Sequence, residues 1–318
     1  MSAAPSSHVV QGVLVIIAGA LSIAIQDVII KLFSAQMTLW QIFALRGLLT
    51  MPIFFAICVV RRADIRNLTR QAFGVWPLLR AALITMTLLA FYAAVPFLNL
   101  STVGAANYIA PIFVALLSAY VLREKVGLQR WIGVLLGFVG VLLLLRPGSD
   151  AFSPWVLLPV FGAACYACAH LITRSKCSDI PVGAMTLSMN VSMMTAGMMV
   201  SAALWLFVPI GALTEQNPYL FDTWFEMTWF DAGILLLLAM MALLNGVLIA
   251  RAYQIAPPPI VATFEYSYLI FAVLLEFILF AVIPSSVTVA GMAMIIVAGL
   301  LVLFHGPVRM KLTSRTVG

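Results

Sequence analysis

The chain has 318 residues, 64% of them hydrophobic and 9% charged, a mean hydropathy of +1.13 and a formal net charge of +6. Soluble domains run at about 45–50% apolar and about 25% charged residues, so this composition excludes a water-soluble globule. Nor is the positive charge a nucleic-acid patch: Lys and Arg stand at the ends of apolar runs, where they set orientation in a bilayer.

A bilayer crossing takes about 20 mostly apolar residues. Reading apolar runs against breakers predicts ten, at 10–33, 38–60, 74–97, 101–122, 128–145, 154–173, 183–208, 231–252, 260–281 and 286–305. Between them lie turn signals: Ala63-Asp64 with Arg66 and Asn67, Arg146-Pro147-Gly148-Ser149, Asp179-Ile180-Pro181, Asn217-Pro218, Pro257-Pro258-Pro259 and Ile283-Pro284-Ser285. All ten are expected to be helices, because an open sheet in lipid leaves backbone groups unpaired. The first run is too long for a signal-peptide core and no Lys or Arg precedes it, so it counts as a span.

Orientation follows from the basic residues, which cytoplasmic loops retain. With the N-terminus inside, Arg61, Arg62, Arg66, Arg70, Arg123, Lys125, Arg130, Arg174, Lys176, Arg251, Arg309, Lys311 and Arg315 fall on the cytoplasmic side, leaving Lys31 and Arg146 near the outer side. The connector between spans seven and eight carries Glu215, Asp222 and Glu226, with Trp224 and Trp229 as interfacial anchors. The expectation is a multi-pass protein of the inner (plasma) membrane with both termini cytoplasmic.

Cys58, Cys165, Cys168 and Cys177 lie in or beside apolar runs and imply no disulfide framework. Cys165, Cys168 and His170 share one continuous span, unlike the hairpin spacing of a tetrahedral metal site. No phosphate loop or zinc-protease motif occurs, and no cofactor is expected.

The halves echo each other. Leu122 to Val126 followed by Trp131-Ile132-Gly133 is matched by Phe280 to Pro284 followed by Val289-Ala290-Gly291, and each leads into a Gly- and Leu-rich span that ends in Arg146-Pro147-Gly148 or His305-Gly306-Pro307. Two units of five spans, 10–147 and 154–306, would have opposite orientations, because five is odd.

The residues Asp27 and Lys31, Arg46-Gly47, Tyr92 to Asn107-Tyr108-x-x-Pro111, Glu124 before Trp131-Ile132-Gly133, and Pro257 to Phe264-Glu265-Tyr266 resemble the drug/metabolite transporter superfamily, specifically proteins with two EamA-type domains. That resemblance covers about residues 12–305. It implies an all-α carrier of ten helices in two inverted repeats, with a central cavity lined by helices one to four and six to nine. Helices five and ten pack to the side, where in that family they often support dimerisation, so the chain is expected as a monomer or a homodimer through spans five and ten. One departure stands out: the glutamate usual before the second-half proline is absent, that place reading Leu279-Phe280-Ala281-Val282, while Glu276 stands where glycine is usual.

Charges inside a span cost at least about 2.5–3.5 kcal/mol each and normally face a cavity. Depth at about 1.5 Å per residue sorts them into an outer layer of Asp27, Lys31, Arg46 and Glu276 and an inner layer of Arg80, Arg251 and Glu265. The expectation is two ionic gates, alternately closed around a midplane site. Asp27 and Lys31 share a helix face, as do Asn107 and Pro111, where the proline frees a carbonyl. Glu265, Tyr268 and Glu276 form one polar stripe of span nine. Tyr92, Tyr108, Tyr166, Tyr266 and Tyr268 are candidate cavity linings for a flat or amphipathic solute, each weighed against plain packing. Arg80 and Arg251 have snorkelling to the headgroups as their alternative, and the methionines of span seven have helix packing as theirs.

The leading reading is a secondary carrier of a small polar metabolite, working by alternating access with proton coupling or exchange. Both signs of charge suit a zwitterionic or cationic, aromatic-bearing solute such as an amino acid derivative or S-adenosylmethionine, which some relatives of the superfamily carry. The alternative is a membrane-embedded enzyme acting on a lipid or lipid-linked substrate, against which His8, His170 and His305 are scattered. The loops are too short for a scaffold.

Overall fold

The computed structural model describes residues 7–33, 37–95, 97–98, 100–123, 127–148, 153–207, 214–215, 217–222 and 224–304. Among these, ten helical segments are long and apolar enough to cross a bilayer: Ser7–Ile30, Leu39–Val60, Val75–Ala94, Thr102–Tyr120, Leu128–Leu145, Pro154–Lys176, Val182–Phe207, Trp229–Ile255, Pro258–Phe280 and Ser286–Leu303. They match the predicted spans to within about one turn and are numbered one to ten here. Glu124, Lys125, Arg309, Lys311, Arg315 and the His305-Gly306-Pro307 turn lie outside the described residues.

One element is new. Where the sequence reads as a turn after Ala63, a short helix runs over Ile65–Ala72, capped by Asp64 Oδ1, which accepts the Asn67 N–H at 3.0 Å. Ile65 and Leu68 pack against Phe54, Cys58, Ala184 and Leu187, while Arg66 and Arg70 remain exposed. An eight-residue amphipathic segment bounded by charges has too few apolar residues to register as a run in a hydropathy reading.

The packing pattern is symmetric. Span five lies along span ten, span two along span seven, and span four against span nine; span three packs on six as eight packs on one, four on six as nine on one, and two on eight as seven on three. Exchanging spans one to five with six to ten leaves every one of these pairings in place, as an inverted repeat requires. Lipid tails give apolar helices little reason to associate, so close approach of small residues must do it. At the crossing of spans five and ten, a Cβ on Gly140 would stand 2.8 Å from the Gly291 carbonyl oxygen, and one on Gly291 at the same distance from that of Gly140. The outward faces of this pair, with Leu128, Ile132, Leu135, Ile296 and Leu300, remain exposed.

Basic residues (Arg61, Arg62, Arg123, Arg174, Lys176, Arg251) gather at the end where span one begins, called the basic end below.

Candidate functional site

Spans four and nine are each two helices. Span four comprises Leu100–Asn107 and Ala110–Tyr120, and span nine Pro258–Glu265 and Ser267–Phe280. In span four, Pro111 has no N–H for the Asn107 carbonyl, and the Ile112 N–H donates to Ile109 O at 2.9 Å rather than to Tyr108 O. The released Tyr108 carbonyl accepts the Tyr266 hydroxyl at 3.3 Å. Tyr266 is itself the break in span nine, where the Leu269 N–H turns to Tyr266 O at 3.1 Å. Its ring is held by Gly137 of span five: a Cβ there would come within 2.7 Å of the ring. Tyr108 and Tyr266 are separated by 158 positions, the same offset that aligns Gly133 with Gly291. The two breaks therefore fall at equivalent points of the two halves and are tied to each other.

A cavity of about 160 Å³ opens beside them. Span one contributes Ile16, Ala20 and Ile23, span eight Ile249, span six Tyr166, and the broken spans Asn107, Tyr108, Ala110, Pro111, Glu265 and Tyr268. Glu265 Oε1 accepts the Tyr166 hydroxyl at 2.7 Å. Asn107 Oδ1 is buried without a partner. The Tyr108 and Tyr268 rings lie nearly parallel, centroids 6.3 Å apart at 25°. The lining thus offers aromatic faces, a free amide acceptor and a carboxylate, on otherwise apolar walls.

Away from the basic end, Tyr268 leads from the cavity lining to a polar cluster around Asp27, called the vestibule below. Asp27 accepts the Tyr268 hydroxyl at 2.7 Å and lies in electrostatic reach of Arg46, Tyr92 and Tyr219. Asp27 is exposed although these groups come from four different elements, so it faces a solvent-reachable interior rather than lipid. Arg46 also stands over the Phe43 ring at 5.2 Å. The connector before span eight is strapped to the start of span two: Trp40 Nε1 donates to Leu220 O at 2.8 Å, Gln41 Nε2 to Phe225 O at 2.8 Å, and the Phe225 N–H to Gln41 Oε1 at 3.1 Å. That strap sets Tyr219 beside Arg46 and Asp27. Toward the basic end the interior is sealed, with Arg80 1% exposed and His170 and Tyr253 at 0%.

This geometry revises the two ionic layers. Asp27 and Arg46 share the vestibule but, among the described residues, no ion pair joins them; the Tyr268 hydroxyl is the hydrogen-bond donor to Asp27. Arg80 and Glu265, placed in one layer by depth, have separate partners, Arg80 Nε donating to Thr173 Oγ1 at 2.7 Å and Glu265 accepting from Tyr166. Depth along a helix says nothing about azimuth, and azimuth separates them. Arg80 does not snorkel, whereas Arg251 is exposed at the rim. Glu276 is half-buried and in electrostatic reach of Tyr268, although the helix break at Tyr266 interrupts the expected stripe through Glu265. Lys31 continues the span-one helix, and its side chain lies outside the described residues. Tyr92 packs with Trp40, Phe43 and Phe91, and Tyr266 is fully buried between spans. In span seven, Met189 and Met193 pack with Leu39, Trp40 and Phe43, as the packing alternative has it.

Three residues are not among the site candidates of the sequence: His170 and Tyr253, which are buried, and Tyr219 of the connector. His170 reads as the end of a run because Arg174 follows closely. The spacing Tyr166, His170, Thr173 is its one visible signal, since those positions share a helix face.

Residues 10–146 match the EamA-like transporter family. The chain is 27% identical over 299 residues to a riboflavin transporter of Vibrio cholerae serotype O1, covering 92% of each chain. It is 23% identical over 204 residues to an S-adenosylmethionine uptake transporter of Rickettsia bellii, covering 64% of each. A solved crystal structure has the same fold, with a TM-score of 0.73 at 14% identity, covering 94% of this chain and 98% of that one.

Proposed function

We propose, from the premise that this chain belongs to the EamA-like drug/metabolite transporter superfamily and is a secondary transporter of a small polar metabolite, that its cargo is an aromatic-bearing solute moved by alternating access past the breaks of spans four and nine. The observation that carries this reading is the pair of symmetric breaks, tied through Tyr266 and Tyr108 beside a cavity that holds Glu265. Discontinuous helices at matching points of two inverted halves are where carriers place their binding sites, because unwound backbone can face a cargo only where it lines a cavity.

In this reading the units 10–147 and 154–306 rock against each other. Tyr108 and Tyr268 stack on a flat ring, Asn107 Oδ1 accepts an N–H or O–H of the cargo, and Glu265 pairs with a cation or carries a proton in its place. Asp27, Arg46, Tyr92 and Glu276 select at the mouth, with Lys31 at its rim, and Arg80 lies on the far side of the site. Both termini are cytoplasmic, which makes the sealed basic end the inner side. The cargoes for which the two relatives are named, riboflavin and S-adenosylmethionine, each join a flat heteroaromatic ring to a polar chain, in keeping with this lining.

The test is uptake of labelled riboflavin and labelled S-adenosylmethionine into proteoliposomes, with and without a pH gradient, by the wild type and Glu265→Gln. Saturable uptake of one compound that falls at least about tenfold in the variant is expected, the equivalent of about 1.4 kcal/mol. Uptake unchanged by the substitution removes Glu265 from the site, and uptake of neither compound rejects this cargo class.

A further inference from the structure

Between the cavity and the basic end, span six presents Tyr166, His170 and Thr173 on one face, and Cys177 caps its end. Each meets a polar neighbour. Tyr166 donates to Glu265, the His170 ring lies 4.2 Å from that of Tyr166 and 3.8 Å from that of Tyr253, Thr173 Oγ1 accepts Arg80 Nε, and the Cys177 carbonyl accepts Gln254 Nε2 at 2.8 Å. A polar track therefore descends from the cavity and is closed to solvent, with Arg80, His170, Thr173, Tyr253 and Cys177 all buried.

Several polar atoms along this track have no hydrogen-bond partner: Arg80 Nη1 and both ring nitrogens of His170, whereas the Tyr253 hydroxyl faces Glu265. A guanidinium stays protonated, and a buried cation without a counter-charge is among the costliest arrangements in a protein interior. Glu265 does not supply that charge. Its partner Tyr166 stands seven residues before Thr173, the partner of Arg80, which is about 10 Å along the helix axis. What collects around Arg80 is one fixed positive charge with spare N–H groups of its own and of His170, and the complement of that set is an oxyanion.

Resting on the carrier reading above, the geometry points to a second cargo station at Arg80, with His170 as an added donor, that takes a carboxylate or phosphate group of the cargo as the track along span six opens. A single α-amino acid cannot bridge Glu265 and Arg80, because one carbon separates its two charges. The two side chains are successive stations, the first for rings and cations, the second for the anionic group.

The test uses two matched pairs on the full-length protein in nanodiscs: S-adenosylmethionine against its decarboxylated form, and riboflavin 5′-phosphate against riboflavin. Binding is read calorimetrically for the wild type, Arg80→Gln and Arg80→Lys. The anionic member of at least one pair should bind about tenfold or more weaker to Arg80→Gln, with Arg80→Lys recovering part of the loss and the neutralised member unaffected. Which pair responds tells carboxylate from phosphate. Equal effects on both members, no difference between the proteins, or no binding by any of the four overturns the station. Uptake that still depends on Glu265 would, in that event, leave the carrier reading standing. As a separate readout, Arg80→Met without ligand should melt at a higher temperature than the wild type, since it removes an unpaired buried charge; a lower melting temperature marks Arg80 as structural and also overturns the proposal. Should Arg80→Gln fail to fold, His170→Gln carries the same paired comparison.

Discussion

Span one and span six occupy equivalent places in the two halves, yet their interior faces are in opposite conditions. Ile16, Ala20 and Ile23 of span one line the open cavity, and Asp27 above them faces the vestibule. Tyr166 of span six reaches the cavity, but His170, Thr173 and Cys177 below it are shut in. Symmetry of fold with asymmetry of exposure is what the proposed alternating access requires of one state: under that proposal the same contacts can be made in either half, and one half makes them at a time.

Labelling should separate the faces most widely. In a background freed of Cys58, Cys165, Cys168 and Cys177, Ile23→Cys should react with a hydrophilic thiol reagent about 10–1000-fold faster than Thr173→Cys, since minor conformers are typically populated at about 0.1–10%. Equal rates would show that the sealed face is no more protected than the open one. Next in size is Tyr166→Phe, which removes a hydrogen bond to a carboxylate away from solvent. At about 1.5–3 kcal/mol for a charged partner, uptake at low cargo concentration should drop about 10- to 150-fold.

Tyr266→Phe should have a smaller effect, about 1 kcal/mol in thermal stability, because the bond to the Tyr108 carbonyl is long at 3.3 Å. The diagnostic point is that it loosens both breaks at once, so transport and melting temperature should fall together. The smallest effect belongs to Tyr268→Phe. Its bond to Asp27 is as short as that of Tyr166 to Glu265, 2.7 Å in each case, but it is exposed, and water replaces the lost donor. Uptake should change less than about fivefold, under about 1 kcal/mol. A loss as large as that of Tyr166→Phe would mean the vestibule is as dry as the sealed half, and the contrast between spans one and six would fail.

The site was legible in part, and the residues show why. Pro111 announces the break in span four, because a missing N–H is a property of the residue itself. The break at Tyr266 has no such marker: no proline or glycine occurs at Glu265-Tyr266-Ser267, and the turn exists because the tyrosine ring seats over Gly137 and its hydroxyl finds a carbonyl freed on another span. Depths of Asp27, Arg46, Arg80 and Glu265 follow from counting residues; which of them share a partner does not.

By itself the sequence determined that this chain lives in a bilayer, that it crosses ten times and that its two halves run in opposite directions, because apolar run length and an odd span count are one-dimensional properties that lipid enforces directly. Only the tertiary structure decided which polar groups meet, which half is open, and that Arg80 and His170 lie buried with unpartnered nitrogen atoms. Those depend on helix azimuth and on close approaches such as Gly140 to Gly291, and a polar group is satisfied or stranded only once its neighbours from other spans are in place.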